Sequence, residues 1–578
     1  MKIENKPLFA LKASTLLTIF LVFTFLFYPI VLGRHFHLNI LQIIEKYDLW
    51  SIFKTIKEPF FFKILGQDAL LSVITIVLID LLLLKSKRPN LHGKARFAKR
   101  SELSPFLKAK KGLIIGKYKG QLLRFPGQQF IALAAPTRSG KGVSVVIPNL
   151  LDCTDSMVVM DIPKGEGFTI TSRYRKEVLG QEIYLFAPFK KGSSKYNPLD
   201  YVNFSKNLEE VQLMAIASSL YKEGPSDSFF ILQARELFVG MSLFVHDLIQ
   251  MGRLSSPFSL STVLTCSSTV NGYPFEDYYG EIRERLSPGA RFRIDRFLAT
   301  AKETKTSIKS TFDIGLSLFG SKIVAENTSA SDFDLNDIRR RKMTIYIHLS
   351  LEEILQAKPL LNLFFSQILT ENTKALPEQD PSLKHPCVFL LDEFSSIGTV
   401  EILKKGSAFI AGYNLRMITA FQSISQISEP APEGYGKEGA KTLLDNHACQ
   451  ILFAPKDLND AKEFSERLGY RDVESSSISR NSRTVHRNVS DQIQRRALML
   501  PQELRELPVN EEIIFIESKP PIRCEKAFYY DTPDFLSRLK KVSPSLRKVA
   551  SPTHSDFIRA FQKGETAISR KQLGRSPL

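Results

Sequence analysis

Residues 130–148 read F-I-A-L-A-A-P-T-R-S-G-K-G-V-S-V-V-I-P. Phe130–Ala134 is a short apolar run, the eight residues Ala135–Gly142 are rich in turn formers, and Val143 begins a second apolar run with helical character. Strand, tight loop with a Gly-Lys pair, then helix is the layout of a phosphate-binding P-loop. The amides from about Thr137 to Val143 would wrap a β-phosphate, helped by the helix dipole, while Lys141 reaches the β/γ oxygens. Pro136, Thr137, Arg138, Ser139, Gly140, Lys141, Gly142 and Val143 are therefore the candidate nucleotide-binding residues. Two positions depart from the usual pattern. Ala135 replaces the first glycine, and Gly142 stands where Ser or Thr normally holds Mg²⁺.

Working outward, six further apolar runs resemble strands buried on both faces: Met157–Met160, Ile183–Phe186, Thr344–Leu349, Cys387–Leu391, Arg416–Ala420 and Gln450–Phe453. Helix-like stretches separate them, as parallel strands require. The expected fold class is thus α/β. The run at Cys387 ends in Asp392-Glu393, and ligands of an open parallel sheet sit beyond the carboxyl ends of its strands. Asp392 is then the acid on the Mg²⁺ side, and Glu393 the base that orients and deprotonates an attacking water. Gln422 follows the strand at Arg416 and is placed to sense the γ-phosphate. The bland alternative for each is a solvated strand end, but the P-loop upstream makes their coincidence informative.

From 205 to 323 the pattern is helical nearly throughout, which reads as an all-helical domain inserted into the α/β body. The polar stretch 474–496 has the composition of a mobile loop. The Lys/Arg-rich segment 536–578 reads as a basic tail with partial disorder. The five cysteines are far apart and sit among apolar or small residues, so they read as buried thiols and not as a disulfide framework.

Ahead of this body lies a different solvent preference. Ala13–Leu32 is a run of twenty residues without a charge, about 30 Å as a helix and so long enough to cross a bilayer. A signal peptide is the competing reading, but the run is long for one and lacks a small-x-small cleavage pattern. A second span runs from about Gly66 to Leu84, with Asp80 near its basic end. Seven Lys/Arg and no acid lie between Lys85 and Arg100, whereas five basic residues mix with three acids between Arg34 and Lys63. That bias places both termini and the main body in the cytoplasm. The formal net charge of +18 is therefore partly topological, and only the remainder could meet nucleic-acid phosphates.

Together H-G-K-A-R-F-A (His92–Ala98), A-P-T-R-S-G-K-G, the strand into Asp161 with P-K-G-E, T-S-R-Y-R (Thr171–Arg175), Y-N-P-L-D-Y (Tyr196–Tyr201), L-L-D-E-F, F-Q-S-I-S-Q (Phe421–Gln426) and R-R-A-L-M-L-P-Q-E-L (Arg495–Leu504) resemble the type IV secretion coupling proteins, the TraG/TraD-like conjugation ATPases. The resemblance runs from the two spans to about Phe535. It implies a RecA-like P-loop motor domain (91–204 and 324–535), an inserted all-α domain (205–323), a membrane anchor (1–90) and the basic tail. It further implies a homo-hexamer in a bacterial inner membrane that uses ATP and Mg²⁺, engages the type IV secretion channel, and receives relaxase-bound single-stranded DNA or protein effectors. Such motors complete their site with a neighbour's basic residue, for which Arg138 and Arg416 are candidates. The segment Asp161–Glu166 is one residue longer than the family's Asp-x-Lys-Gly-Glu, which leaves roles for Asp161, Lys164 and Glu166 open. Two other readings compete: an FtsK-like membrane-anchored DNA translocase, and a non-hydrolysing membrane receptor on a degenerate P-loop fold.

Overall fold

The computed structural model describes residues 91–222, 228–480, 487–569 and 573. Both expected membrane spans lie outside the described residues. The body is organised by one eleven-stranded sheet. Its strands are β1 (Leu113–Tyr118), β2 (Gln121–Phe125), β3 (Ile131–Ala134), β4 (Ser156–Met160), β5 (Glu182–Phe186), β8 (Met343–Ile347), β9 (Cys387–Leu391), β10 (Leu415–Phe421), β11 (Cys449–Leu452), β14 (Glu511–Ile516) and β15 (Ile522–Glu525), while β6 (Thr269–Val270) pairs with β7 (Tyr273–Pro274) and β12 (Tyr470–Arg480) with β13 (Arg487–Ala497) outside it. The spatial order is β2-β1-β15-β14-β11-β3-β10-β9-β4-β8-β5. From β11 to β5 every pairing is parallel, and from β11 to β2 every pairing is antiparallel.

The parallel part is made of the seven apolar runs. Their alternate residues enter different cores, as the two-residue period of a strand demands. Ala132, Val158, Phe389 and Met417 belong to one core, and Ile131, Leu133, Val159, Val388 and Ile418 to the other. Burial on both faces explains why these strands read as continuous hydrophobic runs. Each fully buried Leu, Ile or Phe contributes about 1.5–3 kcal/mol of transfer free energy. The antiparallel flank β1, β2, β14 and β15 was not anticipated from sequence, because its strands carry charges such as Arg124, Glu511, Glu512 and Arg523 that mask their alternation.

Between β5 and β8 the described chain is helical, apart from a two-residue ladder of β6 (Thr269–Val270) with β7 (Tyr273–Pro274). Its longest helix, Ser228–Gln250, has the length and hydropathy of a membrane span. Yet Leu237, Phe238, Val239, Met241, Phe244, Val245 and Leu248 of this helix are all buried in the protein core.

Two segments differ from the sequence reading. The stretch expected as a mobile loop forms a hairpin, β12 (Tyr470–Arg480) with β13 (Arg487–Ala497), in unbroken register from Tyr470↔Ala497 to Arg480↔Arg487. A two-stranded ladder satisfies its backbone without an apolar face, so polar composition conceals it. The guanidinium of Arg495 lies 3.5 Å from the centroid of the Tyr470 ring at its base. The C-terminal segment is likewise packed, not loose: helices Pro533–Val542 and His554–Gln562 bury Phe535, Leu539, Val542, Phe557 and Ala560 in a cluster with Tyr174 and Tyr529. Each helix is amphipathic, and of their basic residues Arg538 turns inward, donating to the Leu151 carbonyl at 2.8 Å and pairing with Asp152 at 2.6 Å.

Candidate nucleotide site

Strand order makes the site. β10 lies between β3 and β9, in register Phe421↔Ala134 and Thr419↔Leu391. The loop after β3, Gln422 after β10 and Asp392-Glu393 after β9 therefore emerge side by side at the carboxyl edge. Neighbouring strands are about 4.8 Å apart, so β3 and β9 are separated by roughly 10 Å, a gap that a lysine on the loop after β3 can close by meeting groups at the end of β9. Lys141 does so.

Lys141 Nζ donates to Glu393 Oε2 at 2.7 Å and to the Asp392 carbonyl at 2.7 Å, with Asp392 Oδ1 at 3.4 Å. Gln422 Nε2 donates to Glu393 Oε1 at 2.8 Å, and Thr137 Oγ1 donates to Gln422 Oε1 at 2.8 Å. A continuous polar chain thus runs Lys141–Glu393–Gln422–Thr137 across three strands. Burial pulls the Lys141 ammonium toward neutrality, but the carboxylates of Asp392 and Glu393 outweigh it and hold its pKa above the ordinary lysine value. Burial pushes Asp392 up to about 6, against the pull of Lys141 and with the repulsion of Glu393.

The loop itself leaves strand geometry at Arg138 and Gly140, with φ of +63° and +90°. Only Gly adopts the second readily. A Cβ there would also sit 3.4 Å from Phe528 Cε1. Ala135 is buried and is not among the positive-φ residues, so the missing first glycine imposes no strain. Helical backbone begins at Lys141 and takes a π-helical turn over Gly142–Val146 that continues as the α-helix Ile147–Asp152. The first amides of a helix have no acceptor within it and face the loop. Ser144 Oγ donates back to the Gly140 carbonyl at 2.8 Å, and Tyr529 N to the Val143 carbonyl at 3.0 Å.

The donor set suits Mg²⁺. Among the described residues Asp392 Oδ1 accepts no hydrogen bond and faces only the Lys141 ammonium at 3.4 Å, and no group of three or more His, Cys, Asp or Glu forms a dedicated metal cage. Mg²⁺ is commonly held by one or two carboxylates plus phosphates and water. Gly142 offers no hydroxyl, and nothing lies within 4 Å of where its Cβ would be.

Other candidates are placed elsewhere. Arg416 is at the amino end of β10, away from the carboxyl edge; it is buried and its Nη2 donates to the Phe125 carbonyl at 3.1 Å. Arg138, by contrast, is exposed at the loop. Asp161 accepts from Gly167 N at 2.9 Å and Phe168 N at 2.7 Å, which caps the helix Glu166–Glu177, and burial raises its pKa to about 6. Lys164 and Glu166 form an exposed pair at 3.8 Å. Two lysines at the loop were missed from sequence: Lys456 Nζ donates to the Thr137 carbonyl at 3.2 Å and Lys526 Nζ to the Ser139 carbonyl at 2.9 Å. Lone lysines after strands carry no local signal.

The family described as Type IV secretory system Conjugative DNA transfer matches residues 87–551. Similar proteins include Protein VirD4 of Rhizobium radiobacter, 29% identical over 511 residues that span 85% of this chain and 72% of the relative. Protein VirD4 of Agrobacterium fabrum is 30% identical over 484 residues, 80% and 70% of the two chains, and the conjugal transfer protein TraG of Escherichia coli is 25% identical over 529 residues, 81% and 82%. Among solved structures, the plasmid coupling protein TrwB with ADP and Mg²⁺ superposes with a TM-score of 0.56 at 16% identity, covering 77% of this chain and 95% of that one. TrwB with the ATP analogue ADPNP gives 0.56 at 15%, covering 77% and 96%. The structural likeness supports the RecA-like α/β fold, and the extent of the family match settles the kinship. The chain belongs to the conjugative DNA transfer family of type IV secretory systems, the type IV secretion coupling proteins.

Proposed function

We propose that this chain is an inner-membrane coupling ATPase, which recruits DNA–relaxase complexes or protein effectors to a type IV secretion channel and drives their transfer by hydrolysing ATP. The observation that carries this reading is the chain Lys141–Glu393–Gln422–Thr137, in which a P-loop lysine, a carboxylate base and a strand-end amide from three adjacent strands are hydrogen-bonded to one another. That assembly supplies the lysine, base and amide that hydrolysis needs, which favours turnover over a degenerate, non-hydrolysing receptor.

In the proposed mechanism the amides of Thr137–Val143 bind the phosphates. Lys141 exchanges its ion pair with Glu393 for the γ-phosphoryl oxygens, and the freed Glu393, still held by Gln422 Nε2, orients water and accepts its proton. Asp392 is the residue that would hold Mg²⁺. Mg²⁺ held there would supply positive charge to neutralise the transferring phosphoryl group. Gln422 touches both Thr137 of the phosphate loop and Glu393, so it links loss of the γ-phosphate to movement of both strand ends. Arg138 is the exposed arginine at the loop and the remaining candidate for action across a subunit interface. Assembly as a homo-hexamer, anchoring through spans at about 13–32 and 66–84, a cytoplasmic body, and the division into motor, all-α insertion and C-terminal segment complete the proposal.

The test is ATP turnover by the detergent-solubilised full-length chain. Mg²⁺-dependent hydrolysis that is abolished in Lys141→Ala is expected. Turnover indifferent to that change removes the site assignment.

A further inference from the structure

Lys456 and Lys526 approach the phosphate loop from its outer side. Lys526 follows β15 directly and is 3% exposed, its ammonium 3.7 Å from the centroid of the Phe453 ring. Lysine is almost never buried so deeply without a partner, because desolvating the ammonium is costly. Its acceptor is the Ser139 carbonyl, as that of Lys456 is the Thr137 carbonyl. The choice of carbonyls is informative. In a trans peptide the C=O of one residue and the N–H of the next point in opposite directions within one rigid plane. A lysine that holds the Thr137 carbonyl outward turns the Arg138 amide inward, and one that holds the Ser139 carbonyl outward does the same for the Gly140 amide. Arg138 and Gly140 are the two positive-φ residues of the loop, the points at which its peptide planes are least determined by ordinary backbone preference.

We propose that Lys456 and Lys526 are positioning residues for nucleotide binding: each pins the peptide plane before a positive-φ residue, so that the Arg138 and Gly140 amides aim at phosphate oxygens. This rests on the nucleotide reading of the loop. It also gives the antiparallel flank a function, because β15 carries Lys526 to the loop and the segment after β11 carries Lys456.

The charge on Lys526 is sensitive to pH. Burial lowers its pKa to about 8, opposed by Glu512 on β14, whose own carboxyl is pushed by burial well above the usual carboxylate range. Cys524 of β15 donates to Glu512 Oε1 at 3.7 Å, and Arg138, Lys456, Arg505 and Glu506 line with Lys526 a cavity of about 540 Å³ against the loop. A lysine with a depressed pKa loses its proton as the pH rises through about 8, so its charge-assisted bond to Ser139 weakens there.

The experiment measures Mg·ADP affinity by calorimetry, and kcat and KM for ATP, on the detergent-solubilised full-length chain between pH 6.5 and 9.5. Lys526→Met is expected to weaken ADP binding about tenfold, the scale of a lost charge-assisted hydrogen bond, and to act on KM more than on kcat. Lys456→Met, at a longer and more exposed contact, has a smaller effect of the same sign. Lys526→Arg restores affinity, and because arginine stays charged it removes the decline that the native chain shows above pH 8. Native affinity in Lys526→Met, or a Lys526→Arg profile that declines as the native one does, overturns the proposal. Lys141→Ala keeps the two readings apart: lost binding there with unaltered binding in Lys526→Met sinks the positioning role alone, whereas unaltered binding in Lys141→Ala sinks the nucleotide site itself. Should Lys526→Met fail to fold, the comparison of native and Lys526→Arg profiles still decides.

Discussion

Replacing Glu393 with glutamine should separate binding from chemistry, in opposite directions. The amide keeps the shape of the carboxylate and a polar oxygen for Gln422, but removes the charge that Lys141 Nζ meets at 2.7 Å. A charge-assisted hydrogen bond is worth about 1.5–3 kcal/mol. Both side chains are mostly shielded, at 16% and 23% exposure, so little of this is lost to solvent screening. Lys141 nevertheless keeps the Asp392 carbonyl at 2.7 Å and Asp392 Oδ1 at 3.4 Å, so only part of the interaction opposes its transfer to a phosphate. Taking about 1 kcal/mol as that part, nucleotide affinity should rise about fivefold in Glu393→Gln. Loss of the proton acceptor should lower kcat by about 10²–10⁴-fold. Fluorescence titration with an ATP analogue gives the first number, and steady-state phosphate release the second. Weaker nucleotide binding in Glu393→Gln would show that the ion pair does not compete with phosphate, and an undiminished kcat would show that Glu393 is not the base.

Three further outcomes follow from particular contacts. Gly142→Ser places a hydroxyl where nothing lies within 4 Å of the Cβ, so the melting temperature should hold while the Mg²⁺ concentration for half-maximal turnover falls; a fall in melting temperature would refute the open geometry. Arg175 is fully buried and donates to the Leu150, Cys153 and Asp155 carbonyls and to Thr344 Oγ1, tying the helix Glu166–Glu177 to the strand ends beneath it. Arg175→Met leaves those acceptors unmet and should cost about 3–5 kcal/mol in denaturant unfolding, and a loss under 1 kcal/mol would mean that water replaces the guanidinium. Asp161 is raised by burial to about 6, so between pH 4 and 6 the folded chain holds a proton that the unfolded chain has released, and the group's contribution to stability falls as pH climbs through that window. Asp161→Asn removes this slope: relative to the native chain it should gain up to about 3 kcal/mol between pH 4 and 7, on top of any constant loss from the missing acceptor, and parallel stability curves would refute the shift.

The parallel strands and the phosphate loop were legible because their determinants are local. A strand buried on both faces must be apolar along its length, and a P-loop must place small residues and lysine between strand and helix, so runs such as Cys387–Leu391 and the stretch 135–142 declare themselves in a few residues. Elements whose stability comes from distant partners were not legible. The hairpin 470–497 looks like a loop because its ladder needs no apolar face, and the C-terminal helices look like a basic tail because Phe535, Leu539 and Phe557 meet Tyr174 and Tyr529 only after folding. Arg416 looked suitable for an interface by residue type, yet its strand position buries it at the opposite edge.

Sequence by itself therefore determined the fold class, the family and the identity of Lys141, Asp392, Glu393 and Gln422 as candidates. Tertiary structure decided that β10 lies between β3 and β9, which converts residues about 250 positions apart into one hydrogen-bonded chain, and that Lys456 and Lys526 arrive at the loop's carbonyls. The physical reason is that periodicity records which faces of a strand are buried, but not which strand lies beside it. Pairing order is set by crossover connections and by packing summed over the whole sheet, and no short stretch of residues carries that sum.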